Sequence, residues 1–322
     1  MSGYGLWYYQ RKLEDESTQW EPYGDIEMDI IEEAFQEGKV EVNLGTRRIN
    51  FLQLVEIKQD EQQRSRPVRR EFHAHWNGHN RSWRFLGEQS EHKSSTYKPY
   101  DAWCPLLTAW FQTSTGKAAL VDFSKCVDAC VDGILAEAAH HPEPSLVEAK
   151  YIVSKIRQHA KISKKAVSQI CVHFYTKNSF LYPTLNQALR DEDLSKVDTL
   201  GPICYLIRNH CRYSEPFSGT TYRGVQLSEE EIIDYENDIG LWKTWSAYTS
   251  TSQDQEVAEA FGNTLFIISL TEVRLNSQRA IDISPVSHYP KEREVLIPAG
   301  TVFQILSVKH DESGKVIITV NV

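Results

Sequence analysis

Two carboxylates one residue apart, Glu292 and Glu294, sit near the C-terminus in the run Ser287-His288-Tyr289-Pro290-Lys291-Glu292-Arg293-Glu294-Val295-Leu296-Ile297-Pro298. Paired carboxylates suit general acid–base work and the stabilisation of a developing positive charge. They close a polar, proline-containing loop and open a short apolar run that reads as a strand. Side chains alternate faces along a strand, so strand geometry reaching back to Glu292 sets both carboxylates on one face. The pair alone is not specific, because Glu-x-Glu recurs at Glu14 and Glu16 and at Glu229 and Glu231, and solvated charges at a strand end account for it. Its company is more telling. Upstream lie Thr221-Tyr222-Arg223-Gly224-Val225, with a cation inside an apolar run, and Tyr248-Thr249-Ser250-Thr251-Ser252, a hydroxyl triplet. Taken singly, Arg223 reads as a surface residue and the triplet as a helix N-cap cluster.

The elements that must position these residues are β-rich. From Thr220 onward, Thr221–Val225, Tyr248–Ser250, Leu265–Leu270, Ala280–Ile283, Val295–Ile297, Val302–Val308 and Val316–Val320 read as strands separated by turn chemistry. Two helices interrupt them, one opening at the capping box Ser228-Glu229-Glu230-Glu231, the other running from about Asp254 to Phe261 and stopping at Gly262. Residues 100–212 read as helical. Cys126 and Cys130 share a helix face as packing residues there, and Ser145-Leu146-Val147-Glu148 has capping-box form. Phe72 to Lys98 is polar and irregular and reads as a connector. Residues 1 to about 72 hold short strands at Trp7–Gln10, Trp20–Pro22, Val40–Asn43, Arg48–Phe51 and Leu54–Ile57. They surround one helix whose Ile26, Ile30, Ile31, Ala34 and Phe35 share a face, with Gly38 as its stop.

Composition excludes several classes. The chain has 322 residues, enough for two domains, and a net charge of −9, which argues against a surface built to hold nucleic acid. There is no run of about 18 apolar residues for a membrane span, and the N-terminus lacks the basic start and apolar stretch of a secretory signal. The six cysteines, with no Cys-x-x-Cys, read as buried and reduced, so the expected location is cytoplasmic or nuclear, not secreted. His73, His75 and His79 lack a supporting cluster, and no metal is expected. Neither Gly-x-Gly-x-x-Gly nor a phosphate loop occurs, since Gly116-Lys117 lacks the upstream glycine and the hydroxyl.

Arg223, then Ser250-Thr251-Ser252, then Glu292-x-Glu294, each on a strand or its edge, resembles the arginine–serine–glutamate arrangement of the ADP-ribosyltransferases related to vertebrate ecto-enzymes and binary clostridial toxins. Phe174–Tyr182 and Asn186–Arg190 resemble the helical lead-in of the eukaryotic arginine-type enzymes, so the likeness covers roughly residues 125–322. The resemblance implies NAD as co-substrate and no metal. It makes Arg223, Ser250, Glu292 and Glu294 the catalytic set. Glu294 would bond the ribose and stabilise an oxocarbenium-like centre, and Glu292 would orient the acceptor guanidinium and help remove its proton. Arg223, Gly224, Trp245, Ser250, Thr251, Ser252 and Glu294 would line the NAD cleft, and Tyr289 beside Glu292 would touch the acceptor. Core packing explains Trp245 equally well.

Trp7, Trp20-Glu21-Pro22-Tyr23 and Ile31-Glu32-Glu33-Ala34-Phe35 resemble the WWE domain, which binds ADP-ribose units of poly(ADP-ribose). Carried over by position, Tyr23, Arg47, Glu56 and Arg66 would form its ligand site. Arg47 and Glu56 depart from the tyrosine and glutamine of the poly(ADP-ribose) readers. A carboxylate opposes an anionic ligand, and Arg47, Arg48, Arg64, Arg66, Arg69 and Arg70 are the residues that could outweigh it.

The expected fold is therefore α+β: a WWE-like half-barrel around one helix over residues 1–75, a linker over 76–99, and an ADP-ribosyltransferase domain over 100–322. In that domain the helical part is 100–212 and the catalytic, two-sheet core is 213–322. The expected function is mono-ADP-ribosylation of protein arginines with release of nicotinamide, targeted by the WWE-like domain, with no membrane partner and no strong nucleic-acid signal. NAD hydrolysis and a non-catalytic ADP-ribose reader are the alternatives.

Overall fold

A computed structural model describes residues 4–60, 64–73, 97–99, 104–142, 144–271, 279–312 and 314–322. The chain divides into two compact units. One is Met1–Gly78 with Ile134–Lys155 and Lys177–Tyr182; the other is His79–Gly133, Ile156–Thr176 and Pro183–Val322. The fold is mixed α+β, with a small sheet around a helix in the first unit and a helical-plus-sheet core in the second.

In the first unit the strands β1 (Tyr4–Lys12), β2 (Thr18–Pro22), β3 (Glu41–Asn43), β4 (Arg47–Asn50), β5 (Val55–Lys58) and β6 (Ser65–His73) form one sheet in the order β2-β1-β6-β5-β4-β3. Helix α1 (Asp25–Gln36) sends Met28, Ile31 and Ala34 into the core with Leu6, Trp7, Tyr23, Leu44 and Ile49. Gly38 follows at φ 73°, the left-handed turn that lets the chain leave the helix. The Trp7 indole donates to Glu32 Oε2 at 2.8 Å, and Arg70 pairs with the same carboxylate through Nε at 2.9 Å and Nη2 at 2.6 Å. The strand the sequence does not announce is β6, whose alternation is carried by arginines. Arg66 lies 3.6 Å above the Tyr9 ring and Arg70 5.0 Å from that of Phe35, so their stems and planar heads pack where apolar residues would.

The second unit carries helices α2 (Pro105–Gln112), α3 (Ser114–Val121), α4 (Phe123–Ala138), α5 (Ser145–Ala160), α6 (Lys164–Thr176), α7 (Leu181–Arg190) and α8 (Val197–Tyr213), of which α4, α5 and α7 give part of their length to the first unit. Cys126 and Cys130 are buried in α4, and all six cysteines are buried and free. At Ser145, where the sequence has capping-box form, the first turn of α5 bonds back to Pro144. The backbone N–H groups of Val147 and Glu148 bond the Pro144 carbonyl, while Glu148 turns inward and is buried.

Beyond α8 come β8 (Gly219–Val225), α9 (Glu229–Asn237), β9 (Trp242–Trp245), β10 (Thr249–Ser252), α10 (Gln255–Glu259), β11 (Thr264–Leu270), β12 (Ile281–Asp282), β13 (Glu294–Ile297), β14 (Thr301–His310) and β15 (Val316–Asn321). The Ser228 capping box of α9 is complete in both directions. With β7 (Lys98–Pro99), these strands follow the order β12-β13-β10-β8-β11-β15-β14-β9-β7, so the sheets of the core are continuous in hydrogen bonding. The end of the expected linker is thus an edge strand: Lys98 pairs with Thr244, and the Tyr97 hydroxyl donates to Asp238 at 2.7 Å. The rest of the connector over 74–96, with His75 and His79, lies outside the described residues. Among the described residues no helix is long and apolar enough to cross a membrane, and no His/Cys/Asp/Glu group is placed to hold a metal.

Candidate active site

Arg223, Ser250 and Glu294 come from strands far apart in sequence that are neighbours in the sheet, in the order β13-β10-β8. Ser252 stands opposite Glu294 on one side and Tyr222 on the other. The Arg223 guanidinium donates from Nη1 to the Ser250 carbonyl at 2.7 Å. Arginine on β8 thereby braces β10, and this bond uses one of five N–H donors. Ser250 and Glu294 are both fully buried, and Glu294 begins its strand. Alternation along β10 sends Thr251 the other way, where its hydroxyl donates to the Val295 carbonyl at 2.8 Å and locks β10 to β13.

Glu292 is positioned differently from the expectation. Strand geometry does not reach it: Pro290–Glu292 is a 3₁₀ turn, and Arg293 takes the left-handed conformation at φ 47°, ψ 49°. The two carboxylates are related by a left-handed corner rather than by a pleat. Ser252 fastens that corner, its hydroxyl donating to the Glu292 carbonyl at 2.7 Å and accepting from Asp254 N at 2.9 Å. Gln253 N bonds the Arg293 carbonyl at 3.1 Å, and Arg293 Nη2 returns to Gln253 Oε1 at 3.0 Å. Ser252, read as an NAD contact, is in this structure a support of the Glu292 loop.

Trp245 is 7 % exposed, stacked on Phe303 at 4.0 Å between ring centroids, and belongs to the hydrophobic core, the packing role that the sequence also allowed. Gly224 has a packing reason of its own, since a Cβ there would stand 2.0 Å from the Ala258 carbonyl oxygen and 2.4 Å from that of Phe261. Tyr289 is 5 % exposed and sets its ring edge-on to His288, so it shapes the loop from inside.

Several residues at the site carry no sequence signal. Ser287 Oγ donates to Glu294 Oε2 at 3.3 Å and accepts from Tyr289 N at 3.1 Å. His288 N donates to Thr176 Oγ1 at 2.9 Å, and His173 Nδ1 lies 2.9 Å from the Val286 carbonyl, so the loop before Glu294 is tied to α6. Behind β10, the Tyr248 hydroxyl donates to the Cys204 carbonyl at 2.8 Å, its ring edge-on to Tyr175. Burial pushes that phenol well above its ordinary range, leaving it a neutral donor.

In the first unit, the four residues assigned to an ADP-ribose site do come together, around one of their own number. Glu56, 2 % exposed, accepts from the Tyr23 hydroxyl at 2.7 Å, from Arg47 Nη1 at 3.3 Å, and from Arg66 Nε and Nη2 at 2.8 and 3.0 Å. Arg47 also pairs with Glu27. The other arginines expected to outweigh this carboxylate are paired as well: Arg48 with Glu41, Arg64 with Asp60, Arg69 with Glu71 and Arg70 with Glu32. The basic rim is internally neutralised.

A family model described as NAD:arginine ADP-ribosyltransferase matches residues 145–321, and a WWE domain model matches residues 5–70. A Mycobacterium avium (strain 104) protein named as an inferred NAD(+)–arginine ADP-ribosyltransferase, Mav, is 34% identical over 143 residues. The match covers 42% of this chain and 16% of that relative, so the chain spans only a small part of its length. Among solved structures, Pseudomonas aeruginosa exoenzyme S, in complex with human 14-3-3 protein beta and bound to carba-NAD, is 20% identical with a TM-score of 0.42, covering 61% of this chain and 88% of its own. The type III effector XopAI of Xanthomonas axonopodis pv. citri is 12% identical with a TM-score of 0.48, covering 70% of this chain and 94% of its own.

Proposed function

The chain belongs to the NAD:arginine ADP-ribosyltransferase family, and we propose that it transfers ADP-ribose from NAD to arginine side chains of proteins with release of nicotinamide. The observation that carries this reading is the strip of three adjacent strands bearing Arg223, Ser250 and Glu294, with Glu292 held at the corner before the last of them. NAD supplies the anomeric carbon and its bond to nicotinamide. The residues present suit it: a guanidinium with donors left for a phosphate, and a buried carboxylate for positive charge developing on the ribose. Glu294 meets that charge at no cost of reorganisation, because its strand is already fixed by β10. Glu292 serves the acceptor. A guanidinium is protonated at any ordinary pH and becomes a nucleophile only when a facing carboxylate orients it and takes its proton.

The WWE domain is of a poly(ADP-ribose)-binding type. In our reading the first unit targets the enzyme by contacts with protein, and poly(ADP-ribose) binds only where it displaces Glu56 from Arg47 and Arg66. Six buried, reduced cysteines support a reducing compartment, cytoplasm or nucleus, as the place of action.

The test incubates the purified protein with NAD and a mixed protein extract, with Glu294→Gln alongside, mapping modified side chains by mass spectrometry while free nicotinamide is measured. The expected outcome is ADP-ribose on arginine, absent with the variant. Nicotinamide release without modified protein would replace transfer by NAD hydrolysis, and silence in both channels would leave a non-catalytic reader.

A further inference from the structure

Ser287 stands seven residues before Glu294, on a loop with no strand or helix of its own, yet its hydroxyl reaches the buried carboxylate. Its position relative to Glu294 is set by a closed circuit of three bonds. Ile283 N donates to the Glu294 carbonyl at 2.9 Å, Ser287 N donates to the Ile283 carbonyl at 2.7 Å, and Ser287 Oγ donates to Glu294 Oε2 at 3.3 Å. The backbone of Glu294 thus fixes the turn that presents a hydroxyl to its own side chain. The turn is fastened from outside as well: Val286 O lies against His173 Nδ1, and His288 N donates to Thr176 Oγ1, whose hydroxyl in turn donates to the His173 carbonyl at 2.7 Å. The Tyr289 N–H occupies a lone pair of Ser287 Oγ, which polarises the hydroxyl and directs its proton away, toward Glu294.

We infer that Ser287 is a positioning residue for Glu294. Its hydroxyl holds one carboxylate oxygen, Oε2, and so orients the carboxylate for the ribose. A bond of 3.3 Å is long for a hydroxyl–carboxylate pair, and catalytic hydrogen bonds that are long in the free enzyme tighten on the way to the transition state. The contribution therefore falls on turnover rather than on binding of NAD. This inference rests on the transferase reading for its kinetic consequences and on the geometry alone for the state of Glu294.

The test compares Ser287→Ala and Ser287→Thr with the wild type in the full chain, folded state checked by circular dichroism. Where Ser287→Ala does not fold, Ser287→Cys, which keeps the volume and offers a much weaker donor, takes its place. Expected for Ser287→Ala is a fall in kcat for nicotinamide release of about tenfold, KM for NAD within about twofold, hydrolysis and arginine transfer falling together, and recovery in Ser287→Thr. A kcat within twofold of wild type, a change confined to KM, or a loss of transfer with hydrolysis intact would each overturn it, the last by moving Ser287's effect to Glu292. A second readout needs no turnover: the Glu294 side-chain carboxylate ¹³C resonance, identified by its loss in Glu294→Gln. It should shift in Ser287→Ala and return in Ser287→Thr. Should wild type release no nicotinamide, the transferase reading fails while the resonance still decides the positioning role; an unmoved resonance overturns that role.

Discussion

At the scale of single residues, the two glutamates divide the chemistry. In the proposed reaction Glu294 would serve any breakage of the bond to nicotinamide, whereas Glu292 would be needed only where the attacking group is a protonated guanidinium. Glu292→Gln is therefore expected to lower arginine transfer by at least about 100-fold while NAD hydrolysis stays within about tenfold, as measured by paired assays of modified protein and free nicotinamide. Equal loss of both would remove the acceptor role from Glu292. Glu56 presents the opposite case, a carboxylate in the place an anionic ligand needs. Two guanidiniums and a phenol already satisfy it. Isothermal titration should show ADP-ribose binding to wild type no tighter than about millimolar. Glu56→Gln, which frees Arg66 from its charged partner and leaves Arg47 paired with Glu27 alone, should bind at least about tenfold more tightly. Tight wild-type binding would contradict the closed-site reading.

At the scale of elements, the left-handed corner at Arg293 decides where Glu292 points. A non-glycine residue in that conformation costs on the order of 1–2 kcal/mol, offset here by the bonds from Ser252, Gln253 and the turn itself. Arg293→Val adds β-branching that resists the corner. It is expected to reduce transfer about tenfold with a smaller loss of hydrolysis. Arg293→Gly keeps the corner and loses only the bond to Gln253, so transfer should stay within about threefold. If the two variants behaved alike, the side chain and not the backbone would be responsible, which the same paired assay reveals.

At the scale of the whole molecule, the β-rich N-terminal region is not a self-sufficient bead. Its compact unit includes Ile134–Lys155 and Lys177–Tyr182, which supply partners to helix α1. Lys177, with no exposed side chain, pairs with Asp29 at 2.8 Å; Asn178 N donates to Asp25 at 2.7 Å; Tyr151 and Lys155 reach Glu33 at 2.8 and 2.7 Å. Burial already pushes the Asp29 carboxyl upward, against the pull of Lys177. Lys177→Met should cost about 3–5 kcal/mol in denaturant unfolding by stranding that carboxylate, and adding Asp29→Asn should recover much of the loss. Burial beside Glu27 and Asp25 pushes Glu148 up to about 8, against the Phe180 backbone bond and Arg47. The folded state therefore holds a proton that the unfolded chain releases near 4.5, and stability from this group is full below that value and declines as pH rises through 8. The decline is at most about 1.4 kcal/mol per pH unit, and Glu148→Gln should flatten it in unfolding curves taken from pH 5 to 8.5.

The order of strands and helices beyond Thr220, except for β9 at Trp242–Trp245, together with the capping box at Ser228 and the helix after Asp25, was legible in the sequence because periodicity, caps and turn residues are local properties. The four candidate residues Arg223, Ser250, Glu292 and Glu294 were proposed through a resemblance of order and spacing. Strand β6 was not, because arginines stacked on aromatic rings do the packing that an apolar pattern would have declared. Nor was Ser287, whose partner lies across a loop; Tyr23, Arg47, Glu56 and Arg66 were grouped by resemblance, but that the other three spend four donor groups on Glu56 was not legible. Sequence by itself determined which chemistry this protein is equipped for, since that depends on residue types. Tertiary structure alone decided which charges are spent on one another and which remain for a ligand, because pairing is settled by distances between residues that the chain keeps far apart.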